Sequence, residues 1–249
     1  MTPTGSLELH AARAGPRTVL RRLRYDGTLR CSRAFPHEAA ALVVTSQLGP
    51  GIVHGDRLRL QGTLDESAHL IVTAQSATRI MGGERTSISE ARWSVAAGAL
   101  LELIGEPLVP APGARFQTTT RITLEPDARV LLTDAVGART DIDVRSRTIV
   151  ERDGRECLYD ALDVARCAPG AIGTLALFGL ASTEIAAAVN ALDAVAGASD
   201  VRVGIGAYSD GVFVRLSAPA LWPVRERLFA LRTVLVGLMA EALVHFSAP

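Results

Sequence analysis

The chain has 249 residues, and its 26 basic and 26 acidic side chains cancel to a formal charge of zero and a pI near 7.0. That balance argues against nucleic acid or an acidic membrane as the main partner, and 48% hydrophobic residues exclude a disordered chain. A chain of this size can bury a full core, and with little net charge to keep copies apart it is expected to dissolve poorly alone or to cover part of its surface with a partner.

The opening "MTPTGSLELHAARAG" lacks the apolar centre of a signal peptide, and the longest apolar runs, near Leu175 and Leu235, are broken well short of the roughly 20 residues that span a bilayer. Cys31, Cys157 and Cys167 are odd in number and include no Cys-x2-Cys pair, so they read as reduced, semi-buried thiols. The expected location is the cytoplasm.

From Leu7 to about Val164 the text reads as strands. "SLELHAAR" alternates, and "TVLRRLRYDGTLRCSRAF" gives two short runs around Asp26-Gly27, a hairpin signal. "AAALVVTS" is a buried strand, and "DRLRLQGTL" alternates strictly. "HLIVTAQSATRI", "ARWSVAAGALLELI", "RFQTTTRITLE", "ARVLLTDAV", "DVRSRTIVERDG" and "RECLYDALDV" follow, separated by Gly82-Gly83, Pro112-Gly113, Pro126-Asp127 and Asp153-Gly154. Short strands without intervening helices predict an all-β architecture built from neighbouring pairings.

The grammar changes after Pro169. "GTLALFGL" is an apolar strand, and "ASTEIAAAVNALDAVAG" puts Ile185, Val189, Leu192 and Ala196 on one helical face. Ser182 is the expected cap, with Glu184 in the first turn and Gly197 as the stop. "DVRVGIGAYSDGVFVRL" is a hairpin turning at Ser209-Asp210-Gly211. The last segment spaces Leu221, Val224, Leu228, Leu231, Leu235, Leu238 and Ala242 as a long amphipathic helix, with Arg225, Arg227, Arg232 and Glu241 opposite and an interruption expected at Pro223. No second-domain boundary and no repeat of fixed period is visible: one domain spans 1–249, strand-rich over 1–180, with a helix–hairpin–helix part over 181–249.

His54-Gly55-Asp56 offers two metal ligands at most, where a tetrahedral site needs three or four. Directly before "RLRL" it fits a glycine turn, with the Asp56 carboxylate bonding nearby backbone N–H groups. The run Thr73-Ala74-Gln75-Ser76-Ala77-Thr78 is polar on both faces of its expected strand, which suits a partner surface, a water-filled passage or a plain hydroxyl ladder. "AQSAT" is no nucleophile elbow. Glu102, Glu106, Asp134, Asp141 and Asp143 fall near strand ends, where carboxylates can do acid–base work or simply pair with arginine. "VGIGAY" precedes a hairpin and not a helix, so it is no dinucleotide fingerprint. The arginines are scattered without interleaved aromatics.

Together, "GIVHGDRLRL … AHLIVTAQSATRI … GALLELIGEPLVPAPGARF" resembles the urease accessory proteins called UreD, or UreH in some species. The likeness falls on Gly55 and Asp56, on Thr73, Gln75, Ala77 and Thr78, on Leu101 and Glu102, and on Pro107, Gly113 and Ala114. The opening "GSLELHAARAGPRTVLRRLRYDGTLRCSRAFP" and the closing "VRLSAPALWPVRERLFALR" extend it over most of the chain. Pro50, Ala74, Arg79 and Met81 depart from the family pattern, and the Gly-Arg element is eroded, with Ala138 between Gly137 and Arg139.

The resemblance implies a mainly β, β-helix-like stack of short strands with two α-helices near the C-terminus, and no catalysis. It implies binding to urease apoprotein and to UreF, which recruits the GTPase UreG, with nickel passing through the D-type protein. No cofactor is expected to be tightly held; the cargo is a transient nickel ion, and no metal-ligand set can be assigned. Asp56, Thr73, Gln75, Thr78 and Glu102 are the expected polar lining or partner surface, since a passage wants oxygen ligands that release their ion. Two readings of another class stand beside it: a β-rich hydrolase using Glu102 and Asp134 with His54, and a β-sandwich binding module.

Overall fold

The computed structural model describes residues 2–167, 170–197 and 200–246. In chain order these form β1 (Gly5–Ala14), β2 (Arg17–Gly27), β3 (Leu29–Cys31), β4 (Phe35–His37), β5 (Ala40–Gln47), β6 (Arg57–Leu64), β7 (His69–Ala74), β8 (Thr78–Ile80) and β9 (Ser87–Val95). Next come β10 (Leu100–Ile104), β11 (Leu108–Pro110), β12 (Arg115–Leu124), β13 (Arg129–Ala138), β14 (Asp143–Arg152), β15 (Arg155–Asp163) and β16 (Gly170–Phe178). The helix α1 (Ser182–Ala196), the strands β17 (Arg202–Tyr208) and β18 (Gly211–Ala218), and the helix α2 (Leu221–Phe246) complete the chain.

Two sheets face each other. One has the order β15-β14-β12-β9-β6-β1-β2, the other β17-β18-β16-β13-β10-β7-β5-β3, and β8 and β11 form a narrow third side. In the middle of the molecule, chain neighbours do not pair. β6, β9, β12 and β14 run parallel in the first sheet, and β5, β7, β10 and β13 run parallel in the second. The chain therefore climbs as a β-solenoid. The expected neighbour pairing holds only toward the ends, where β1–β2, β14–β15 and β17–β18 are antiparallel hairpins.

A repeat also exists where none is visible in the text. Leu58 lies beside Ser89, Ser87 beside Phe116 and Arg115 beside Asp143, so successive coils take 31, 29 and 28 residues. Unequal corners blur the period, and equivalent rungs carry different side chains. Gly62 sits beside Trp93 in the next coil, and a Cβ there would lie 2.1 Å from the indole. The buried Trp93 therefore fills space that glycine leaves open.

Three local expectations change. Asp26-Gly27 is a corner and not a hairpin: β2 has already turned back on β1, and at Gly27 (φ 63°) the chain leaves the first sheet for the second. "HLIVTAQSATRI" is two strands, with Gln75–Ala77 as the bend between them. In α1, Ser182 is the first helical residue; Ala181 is the cap position, and its N–H donates to the Glu184 carboxylate at 2.8 Å.

One core fills the space between the sheets, and a second lies between the outer face of the β10–β13–β16–β18 sheet and the helices. Val224, Leu228, Leu231, Leu235 and Met239 are the buried stripe of α2, close to the periodicity expected from the sequence. Ala242 and Glu241 lie outside the described side chains. Pro223 sits in the first helical turn, where no intrahelical N–H bond is lost, so it interrupts nothing. Gly173 leaves room for the helix: a Cβ there would come within 2.6 Å of Val224.

Glu102 holds this layer down. Its side chain is almost wholly buried, accepting from Arg232 Nη2 at 2.6 Å and lying 2.8 Å from His69 Nε2. Arg232, expected on the solvent face of α2, reaches under the helix to do so. Burial alone would push the Glu102 carboxyl up; the bonds from His69 and Arg232 and their charges outweigh it and hold the group below its ordinary range. Glu102→Gln is expected to destabilise the protein by about 2–4 kcal/mol at neutral pH, because Arg232 is left without its counter-ion. The native carboxyl being depressed, its contribution is present above the ordinary carboxylate range and fades as pH falls through the folded value. Urea titrations at pH 7 and pH 4, with hydrogen exchange on α2, measure both effects; unchanged α2 protection at pH 7 would remove Glu102 as the anchor.

Candidate functional site

Alternation along parallel strands stacks like positions into columns. On the inner face of the first sheet, one column runs Leu58, Ser89, Thr118, Ser146, and the next runs Leu60, Ala91, Thr120, Thr148, Asp160. Apolar residues begin each column, and hydroxyls replace them further along. Across the interior, Asp134 lies beside Thr174, and Thr174 beside Arg215. Small and polar side chains cannot fill the space that leucines would. A cavity of about 420 Å³ remains between the sheets, walled by residues that include Ser89, Thr118, Thr120 and Asp134. Leu108, Thr118 and Asp134 also border a second space of about 20 Å³, which continues to Ser146, Thr148, Asp160 and Thr174. That is room for about one water.

The bend after β7 stands at the mouth. Thr73, Gln75 and Thr78 line the cavity together with Gly49, Pro50 and Gly51. Gln75 is held by its N–H to the Thr45 carbonyl at 2.8 Å, and Thr78 by its N–H to the Pro107 carbonyl at 2.9 Å. Gln47 lies on the same wall, and neither atom of its buried amide has a hydrogen-bond partner among the described residues. Such a group belongs beside water or a passing solute.

Two of the expected residues lie elsewhere. Asp56 accepts the Val53 N–H at 2.8 Å and donates its own N–H to the Val53 carbonyl at 3.0 Å, so His54-Gly55-Asp56 is a turn. His54 packs on Gly83, where a Cβ would come within 2.5 Å of the imidazole. Glu102 faces α2, on the opposite side of its sheet from Asp134. A hydrolase built on His54, Glu102 and Asp134 would need these groups together, and they occupy a surface turn, an outer face and an inner face. Asp141 and Asp143 pair with Arg139 and Arg145 at the surface, and Glu106 pairs with Arg225. The eroded element divides: Gly137 and Ala138 end β13, and Arg139 pairs with Asp141.

Asp134 is the residue whose setting the sequence left open. Its carboxylate accepts the following Ala135 N–H at 2.8 Å and lies over Gly105, where a Cβ would sit 3.3 Å from Oδ1. Enclosure away from bulk water pushes its carboxyl up to about 6; the Ala135 bond and the Arg215 charge pull it down, and Asp160 adds to the rise. A raised native value means the folded chain binds this proton more tightly than the unfolded one, so ionisation costs stability. Relative to Asp134→Asn, the wild type should lose up to about 3 kcal/mol as pH rises from 4 to 7. Urea denaturation of both across that range measures the difference; a constant difference would place the carboxylate in contact with bulk water.

The chain matches the family model described as UreD urease accessory protein from residue 3 to 246. It is 32% identical over 165 residues to the urease accessory protein UreD of Sorangium cellulosum, covering 63% of this chain and 53% of that one. With the same-named protein of Dechloromonas aromatica it shares 33% over 135 residues, covering 52% and 47%. With that of Actinomyces naeslundii it shares 28% over 205 residues, covering 78% and 74%. The alignments with the first two relatives span about half their length. The family match takes in both sheets, the cavity between them and both helices, and on that ground the chain belongs to the UreD urease accessory protein family.

Proposed function

We propose that this protein is a non-catalytic factor of urease maturation in the cytoplasm, and that its interior is the route by which a nickel ion travels toward urease apoprotein. The observation that carries the reading is the row of hydroxyls, Ser89, Thr118, Thr120, Ser146 and Thr148, along one wall of the space between the sheets, entered past Thr73, Gln75 and Thr78 and leading to Asp134. Neutral oxygen donors hold a divalent ion weakly enough to release it, and one carboxylate partway along draws it inward. The ion is cargo and no resident cofactor is needed. In a purified system of urease apoprotein, the F- and G-type accessory proteins, GTP and nickel, Thr78→Val with Thr118→Val should slow urease activation severalfold while the complex still assembles. Activation at the wild-type rate would sink the route.

Partner binding falls to the outer ridge of α2. Trp222 and Phe229 are 60% and 68% exposed and stand seven residues apart, with Arg225 over the Trp222 ring at 5.6 Å. Large aromatics on one helical face suit another helix, and in this reading it belongs to the F-type protein, which brings the GTPase. Trp222→Ser with Phe229→Ser should abolish co-purification with the F-type protein and change stability by no more than about 1 kcal/mol. A pull-down with a melting curve decides; retained binding would place the interface elsewhere.

A further inference from the structure

The interior file narrows toward its C-terminal end, and an arginine stands there. Arg215 projects from β18 between the two sheets, donating from Nη2 to Asp160 Oδ1 at 2.5 Å and from Nη1 to Thr174 Oγ1 at 2.7 Å, with its guanidinium over the Phe213 ring at 5.0 Å. Asp160 belongs to β15, the last strand of the first sheet, so this pair clasps one sheet to the other. Asp160 and Thr174 are also walls of the narrow space beyond Asp134. The clasp therefore sits where the file would have to continue. Arginine does not lose its proton in proteins, so its charge can leave that position only by movement of the side chain.

We propose that Arg215 is a cationic gate: clasped to Asp160, it closes the C-terminal end of the interior file to divalent cations, and an ion at Asp134 moves on only when the guanidinium leaves Asp160. The inference rests on reading the interior as a cation route, and it adds the point at which that route is stopped. Near Asp134 the guanidinium does two things. It opposes a second positive charge by Coulomb repulsion, twice as strongly for a divalent ion as for a monovalent one, and it occupies the carboxylate that would be the next oxygen ligand. A pair that served only to staple the sheets would affect stability alone.

The test is nickel binding to the purified full chain, by equilibrium dialysis at pH 7.5, in parallel with circular dichroism. Arg215→Met is expected to bind nickel at least about tenfold more tightly than the wild type, through loss of the repulsion and release of Asp160. Arg215→Gln, which keeps hydrogen bonds to Asp160 and Thr174 within reach, should show the same direction if the Met variant does not fold. Arg215→Lys retains the charge and should bind as the wild type does. Adding Asp134→Asn to either neutral variant should erase the gain. Folded neutral variants with nickel affinity within about twofold of the wild type overturn the gate, and so does a gain that survives Asp134→Asn. If the gate fails while Asp134→Asn alone abolishes binding, the cation route stands; if Asp134→Asn changes nothing in any background, the route falls and the gate with it.

Discussion

In-register parallel stacking of the coils is the constraint on which the rest of this molecule depends. Because each rung sits directly beside the next, a residue's neighbours on the inner face are decided by positions about thirty residues away. Two neighbouring columns start at Leu58 and Leu60; continued through Ser89, Thr118 and Ser146 in one and through Thr120 and Thr148 in the other, they become lines of hydroxyls. Each hydroxyl is a donor and a double acceptor, so a row of them satisfies itself or holds water without any one group being left expensive. Side-chain volume contributes to the cavity: serine and threonine reach less far across the gap than the leucines that also wall it.

Two carboxylates on one sheet, the buried Glu102 and the half-buried Asp134, show how strongly placement governs chemistry. Glu102 and Asp134 lie on adjacent parallel strands, β10 and β13, yet face opposite sides. Glu102 meets Arg232 and His69 directly, and its charge is held. Among the described residues Asp134 accepts one backbone N–H, with Arg215 engaged by Asp160, and its proton is held instead, up to about pH 6. Desolvation raises both groups; the difference is the hydrogen-bonding partner. The first is an anchor for a helix. The second stands at the junction of two internal spaces.

The same sheet also separates two kinds of surface. Its inner face bounds the polar file, and its outer face carries α1 and α2 on a continuous apolar layer. Anything docked on the exposed ridge of α2 is therefore one helix and one sheet away from the cavity. Arg232, which crosses from α2 to Glu102, ties that helix to the sheet.

Alternation in "DRLRLQGTL", helical spacing in the last segment and the residues around Asp56, Thr73 and Leu101 were enough to establish a strand-rich chain ending in two helices, and to point to the family. These are local patterns, written within windows of ten to twenty residues. The coil was not legible, because parallel pairing joins residues some thirty positions apart and its corners vary in length. Nor was the assignment of faces. A period of two separates odd from even positions, but where both sides of a sheet are covered it does not say which side looks inward. So Glu102 reads from sequence as lining and Asp134 as a loose strand-end charge; stacking puts Asp134 inside and Glu102 beneath a helix, and Arg232 and Arg215 find their carboxylates only because separate strands and a helix meet there.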